Sequence, residues 1–229
     1  MAVITVTILY SPRAWQRKVH DSDVRFRVVV CHRRSGKTVL AINELIRAAF
    51  RKTGRYAYIA PSYKMAKGIA WDLFKKYVPW DLVEKANESE LSVRFKNGSL
   101  LELYGSENEQ TLRGREFHGV VFDEYAQQGH NVFTEIILPT LATTMGWVMW
   151  IGTPQGRNQF WEIYDKAYAR KGWGRFMLRA SESGLISAEE LAIQQANMDE
   201  AEYLQEFECA FDVPVKGAVF KAEWQRLKE

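Results

Sequence analysis

The feature that most constrains this chain is a junction near its start. Val24 to Cys31 is rich in β-branched residues, and it leads at once through a short loop into Gly36-Lys37-Thr38. Beyond the loop, Val39, Ile42, Ile46 and Ala49 recur at helical spacing on one face. Strand, loop and helix in that order commit the segment to an α/β architecture, because parallel strands are joined by crossover helices.

The rest of the chain continues the alternation. Tyr56 to Ala60 reads as the next strand, ended by Pro61, and Ser62 caps an amphipathic helix running towards Tyr77. Leu91 to Phe95 and Leu100 to Tyr104 flank Lys96-Asn97-Gly98-Ser99, and Asn-Gly tolerates the positive φ angles of a tight turn, so an antiparallel hairpin is expected. Gly119 to Phe122 and Trp147 to Ile151 are short apolar runs of the kind buried in parallel sheets. Phe160, Ile163, Tyr164, Ala167 and Tyr168 keep helical spacing, Phe176 to Ala180 reads as a further strand, and helices are expected around Ala188 to Phe211. No internal repeat, low-complexity tract or linker interrupts the pattern before Val213 to Val219.

Composition excludes several classes. A chain of 229 residues that is 47% hydrophobic and 13% aromatic can bury a large core, which argues against disorder as its main state. Its net charge of +3 is too mild to point to nucleic acid by itself. Cys31 and Cys209 form no Cys-x-x-Cys pair for zinc or redox work, and a reducing, cytosolic compartment fits them best. No apolar run reaches the roughly 20 residues that cross a bilayer, and Met1 to Tyr10 lacks the charged start and cleavage site of a signal peptide. The expectation is a soluble intracellular protein with no membrane partner.

Cys31-His32-Arg33-Arg34-Ser35-Gly36-Lys37-Thr38 has the spacing of the phosphate-binding loop G-x-x-x-x-G-K-[ST], with Cys31 in place of the first glycine. The chemistry survives that change. Gly36 lets backbone amides approach phosphates, Lys37 offers a charge to the β and γ oxygens, and the Thr38 hydroxyl can reach Mg²⁺. Arg33, Arg34 and Ser35 belong to the same loop and are read with Gly36, Lys37 and Thr38 as nucleotide-binding. The two arginines have two readings: contact with the γ-phosphate, or ion pairs with an acidic strand end.

That strand end is Val120-Val121-Phe122-Asp123-Glu124, where a hydrophobic strand delivers adjacent carboxylates that a core would avoid unless a cation or a solvent cleft received them. Asp123 is the candidate metal ligand alongside Thr38, and Glu124 the candidate for orienting and deprotonating an attacking water. The plain alternative is that Asp-Glu caps the following helix. Ile151-Gly152-Thr153-Pro154 ends another strand in a hydroxyl, and Thr153 is a candidate contact to the γ-phosphate region.

Taken in order, Pro12 to Gln16, His32-Arg33-Arg34 with Gly36-Lys37-Thr38, Tyr58-Ile59-Ala60-Pro61, Asn97-Gly98-Ser99, Leu112-Arg113-Gly114, Val121 to Tyr125 and Gly152-Thr153-Pro154-Gln155-Gly156 resemble the N-terminal ATPase of the large terminase subunit of tailed bacteriophages. The resemblance spans nearly the whole chain. It implies an α/β P-loop NTPase fold of the RecA/ASCE type, with a mostly parallel central sheet flanked by helices and a small lid subdomain. It implies ATP and Mg²⁺ as cofactors, Gln16 reading the adenine, Lys37 and Glu124 in catalysis, and Thr153 coupling hydrolysis to movement. Arg113 matches the region that in related motors supplies an arginine finger to a neighbouring subunit; Arg115 competes for that role, and a solvated or DNA-contacting arginine is the plain reading of Arg113.

Further implications concern the assembly. The resemblance implies double-stranded DNA, a portal protein and a small terminase subunit as partners, a homo-oligomeric ring, a pentamer by family likeness, and action in the host cell cytoplasm. Residues 1–213 are expected to form the ATPase domain with its C-terminal helical lid, and 214–229, with Gly217-Ala218-Val219-Phe220, the start of a linker toward an absent nuclease domain, so no nuclease activity is expected. Two rival readings are a superfamily 2-type helicase fragment, which needs a second RecA-like domain, and a nucleotide-gated assembly scaffold that does not hydrolyse.

Overall fold

The computed structural model describes residues 9–213. The segment 214–229, including the Gly217 to Phe220 motif, and the first eight residues lie outside the described part.

Among the described residues eight strands, β1 (Phe26–Cys31), β2 (Arg55–Ala60), β3 (Val83–Asn87), β4 (Ser92–Phe95), β5 (Leu100–Gly105), β6 (Gly119–Phe122), β7 (Trp147–Gly152) and β8 (Trp173–Leu178), form one sheet. Their order is β3-β4-β5-β2-β6-β7-β1-β8. Only β4 runs against its neighbours; the remaining pairings are parallel. The labelled helices are α1 (Ala14–His20), α2 (Lys37–Arg51), α3 (Asp72–Tyr77), α4 (Gln159–Lys166), α5 (Ala188–Asn197) and α6 (Glu200–Glu206). Among the described residues no helix is long and apolar enough to cross a membrane.

Both faces of the sheet are buried, so its central strands are apolar on both sides. Val29 and Cys31 of β1, with Met149 and Ile151 of β7, face one layer, where Leu40, Leu45 and Ile46 of α2 and Phe74 of α3 pack on them. Val28, Val30, Val148 and Trp150 face the other, against Phe122, Phe133 and Phe160. Trp150 stacks on Phe122 and on Trp173 with interplanar angles of 3° and 8°. A slip of one residue would exchange the two sets of side chains, and each buried aliphatic or aromatic group is worth about 1.5–3 kcal/mol, so the register is fixed by the layers.

The expected hairpin is present as β4 and β5, joined through Gly98 at φ 86°. Three readings shift. β8 begins at Trp173 rather than Phe176, because Trp173 pairs with Phe26 and stacks on it and on Trp150. The helix after Ser62 is broken into an α turn, a π-helical stretch Ala66–Trp71 and α3. The helical region expected to reach Phe211 resolves into α5 and α6 and ends at Glu206, beyond which Cys209 takes a positive φ of 56°. These two helices pack through a small cluster of their own, Ala180, Tyr203 and Phe207 with Ile186, Leu191 and Met198.

Candidate functional site

Parallel strands β1, β6 and β7 point their carboxyl ends to one edge of the sheet, so the loop after β1, the acidic pair after β6 and Thr153 after β7 meet there. Gly36 stands immediately before α2 with φ 90° and ψ 28°, a left-handed conformation that a side chain would strain. A Cβ there would also lie 3.0 Å from Arg13 Nη1. The first turn of α2 presents free backbone N–H groups and the positive end of its dipole to the same edge, the arrangement that favours phosphate.

Lys37 is buried and its Nζ lies 3.1 Å from Glu124 Oε1 and 3.4 Å from Thr153 Oγ1. The Thr38 hydroxyl donates to Asp123 Oδ2 at 3.3 Å. Tyr58, fully buried on β2, also donates its hydroxyl to Asp123 Oδ2. The other oxygen, Oδ1, accepts the Glu124 backbone N–H at 2.9 Å, and Gln128 Nε2 holds the Asp123 carbonyl at 2.7 Å. Glu124 sits at φ 46° and ψ 49°. Such a conformation costs a non-glycine residue about 1–3 kcal/mol, and side chains held that way cluster where chemistry needs them aimed.

The electrostatics of the cleft ask for cations. Burial and the Glu124 charge push the Asp123 carboxyl above the usual carboxylate range, with Lys37 and Tyr58 pulling the other way. Burial works against the Lys37 ammonium, and the Glu124 and Asp123 charges outweigh it and hold its pKa above the ordinary lysine value. A third carboxylate, Glu206 at the end of α6, lines the same cleft of about 220 Å³. Burial and Glu124 raise its pKa, and Arg33 and Lys37 oppose them.

Among the described residues no group of three or more His, Cys, Asp or Glu side chains could cage a metal by itself. The Thr38 hydroxyl and Asp123 carboxylate are hard oxygen donors side by side, and two such donors fit Mg²⁺, which keeps its remaining positions for phosphate and water.

Around the loop, Gln16 Nε2 donates to the Gly36 carbonyl at 3.1 Å, and its Oε1 accepts the Arg13 backbone N–H at 2.8 Å. Arg13 Nη1 donates to the Ser35 carbonyl at 2.8 Å. Gln16 and Ser35 are buried, whereas Arg33 and Arg34 are exposed. Arg33 lines the cleft, and its backbone N–H donates to the Glu206 carbonyl at 2.9 Å. Arg34, at φ 67°, lines a second opening with Glu190 and Gln194 of α5. Among the described residues neither arginine forms an ion pair with Asp123 or Glu124, so that reading of the pair finds no support.

Arg113 is exposed and stands outside the residues lining the cleft. Arg115 is held by its own chain, through Glu102 Oε1 at 3.2 Å, the Thr111 carbonyl at 2.6 Å and the face of Tyr104. Reading along the chain missed Tyr58, Arg13 and Glu206 as members of the site. Tyr58 and Arg13 lay in segments already singled out; Glu206 carried no local signal, since only the fold returns it to the loop.

A family model described as terminase large subunit, T4likevirus-type, N-terminal, matches residues 32–226. The chain belongs to that family. A terminase large subunit of Thermus virus P23-45 is 30% identical over 175 residues, covering 68% of this chain and 36% of the relative. One from Escherichia phage T5 is 29% identical over 152 residues, covering 64% of this chain and 34% of the relative. The chain thus spans about a third of the length of these terminases. Among solved structures, the large terminase ATPase domain of Thermus phage P74-26 superposes with a TM-score of 0.78 at 23% identity, covering 88% of this chain and 94% of that one. A large terminase of a thermophilic bacteriophage in complex with ADP gives 0.73 at 14% identity, with 86% and 53% covered. At those identities the likeness establishes the fold alone.

Proposed function

We propose that this terminase region hydrolyses ATP to ADP and phosphate and that the resulting movement drives double-stranded DNA into a viral procapsid. The observation that carries the proposal is the meeting of Lys37, Thr38, Asp123 and Glu124 in one cleft at the carboxyl edge of the sheet. The ADP-bound relative of the same fold supports the nucleotide, and family membership supports the packaging role.

In this reading, the triphosphate lies on the loop from Arg33 to Thr38, with Ser35 and Gly36 backbone amides and the N-terminus of α2 directed at its oxygens. Lys37 leaves Glu124 for the β and γ oxygens. Glu124, thereby released, orients a water for in-line attack and takes its proton, a service typically worth 10²–10⁴ in rate. Mg²⁺ would neutralise developing phosphate charge, with Thr38 and Asp123 as the residues that hold it. Thr153, next to Lys37, is placed to report loss of the γ-phosphate to β7, and Gln16 contributes to the base side of the loop. Arg113, exposed and unengaged with the cleft, is the candidate to complete a neighbour's site in a ring.

In the same reading, residues 1–213 form the ATPase domain with α5 and α6 as its lid, a linker leads from 214 toward a nuclease domain, and the motor is a pentameric ring that works with the portal and small terminase subunit in the host cytoplasm. The test is release of phosphate from ATP by the chain with and without a chelator. Release that disappears with Mg²⁺ removal supports hydrolysis, whereas no release at any protein concentration returns the chain to the non-hydrolysing scaffold reading.

A further inference from the structure

The amino-terminal edge of the sheet, opposite the nucleotide cleft, carries a second opening of about 400 Å³. It is formed where β1 and β7 begin and α2 ends, and its lining gathers Arg25, Arg27, Arg47, Arg51 and Lys52 against two carboxylates, Asp23 and Glu44. Glu44 is already committed: Arg27 Nη1 lies 2.7 Å and Arg47 Nη2 2.9 Å from its oxygens, and the His20 ring 2.6 Å. With Asp23 and Glu44 set against the cations, the wall is left positive, most of all at Arg25, Arg51 and Lys52.

Two features separate this wall from an ordinary solvated surface. Arg27 is 3% exposed, its guanidinium lies 4.7 Å from the centre of the Trp147 ring, and its Nε is buried without a hydrogen-bond partner. Held there, Arg27 adds positive charge behind the rim rather than a contact at it, and the contacts fall to the exposed cations of the mouth. At the mouth, Arg51 and Lys52 are exposed; Arg51 has no ion-pair partner among the described residues, and Lys52 reaches only the Thr144 carbonyl at 3.5 Å. Arg25 uses Nε on the Gly146 carbonyl at 2.8 Å and faces Phe26.

We propose that this opening binds phosphate groups of a nucleic-acid backbone, giving the chain a DNA contact on the face opposite its nucleotide site. The inference rests on the reading of the chain as a DNA-packaging ATPase. Several cations spread along one rim suit the repeated charges of a backbone, and their separation from the cleft lets the duplex be held while nucleotide exchanges. Contacts of this kind carry little sequence information and weaken with salt.

The experiment measures binding of the 229-residue chain to a labelled DNA duplex by fluorescence anisotropy over a range of salt concentrations. It compares wild type with the Arg51→Ala, Lys52→Ala double variant and with Lys85→Ala, Arg94→Ala, an exposed cross-strand pair of β3 and β4 that removes the same charge elsewhere. The Arg51→Gln, Lys52→Gln pair serves if the alanine pair fails to fold. The expected result is affinity lowered by tenfold or more at the first pair, with the slope of log K against log salt reduced by about 1.8, two contacts at about 0.9 each. The control pair should stay within about twofold, the range of a lost remote charge.

Equal losses for both pairs, or none for either, overturn the inference, as does an acidic peptide that binds the chain more tightly than the duplex does. A wild-type chain that hydrolyses ATP but ignores duplex overturns the site alone. One that neither binds nor hydrolyses ATP sinks the functional reading beneath it.

Discussion

The ammonium of Lys37 rests 3.1 Å from the carboxylate of Glu124. One side chain is the proposed phosphate-binding group of the loop, and the other is, among the described residues, the one acid held in a left-handed backbone conformation. Under the proposed function, a triphosphate would exchange with Glu124 at Lys37, and its binding would free that carboxylate to orient water.

The Lys37→Ala variant should lose nucleotide affinity by about tenfold or more, since hydrogen bonds to charged groups are worth about 1.5–3 kcal/mol each. Titration of a fluorescent ATP analogue reads this directly. Unchanged affinity would mean that the phosphates lie elsewhere.

Glu206 faces the cleft with its carboxylate while Arg33 and Lys37 offset its charge. A triphosphate would feel that carboxylate as repulsion. Glu206→Gln should tighten ATP binding several-fold, on the order of 1 kcal/mol for a partly screened like-charge contact, and the same titration checks it. Weaker binding would show that Glu206 assists the nucleotide instead.

Glu44 ties α1, β1 and α2 together through His20, Arg27 and Arg47. Burial alone would raise its pKa, but the His20 hydrogen bond and the two guanidiniums win and bring it from 4.5 down to about 2. A depressed acid contributes stability that is complete above its unfolded value and is lost as pH falls through the folded one. At about 1.4 kcal/mol per unit, that is on the order of 3 kcal/mol lost between pH 4.5 and about 2. Urea unfolding across that window should show the decline in wild type. In Glu44→Gln it should start lower and fall less, and parallel curves would remove Glu44 from the account.

Arg113 is exposed and free of the cleft, whereas Arg115 is bound to Glu102. If Arg113 serves a neighbour, ATPase rate should rise more steeply than protein concentration, and Arg113→Ala added to wild type should lower the rate of the mixture below the sum of its parts. Strict proportionality in both series would restrict Arg113 to its own chain or to solvent.

The elements that were readable in the chain are those whose periodicity is local. β1, its loop and α2 follow one another with no intervening signal, and Gly119 to Phe122 is apolar because both faces of β6 are covered. β3 was not legible: Val83–Asn87 has an exposed centre and lies at the sheet edge, so nothing in its pattern separates it from a loop. The core of the site was readable because Lys37, Thr38, Asp123, Glu124 and Thr153 all end strands or begin a helix. Tyr58 is a different case: an apolar strand containing tyrosine is common, and only the Asp123 oxygen beside its hydroxyl gives it a role. Glu206 and Arg33 are joined by a backbone hydrogen bond across most of the chain, a relationship no local window contains.

In the proposed function the Lys37 cleft both holds and hydrolyses Mg²⁺-bound ATP, with Glu124 acting on water. Its most direct measurement pairs phosphate release with nucleotide binding in wild type and Glu124→Gln. Hydrolysis should be lower by about 10²-fold or more in the variant while ATP binds at least as tightly, because Lys37 no longer has the Glu124 carboxylate to leave. A variant that hydrolyses ATP at the wild-type rate would contradict it.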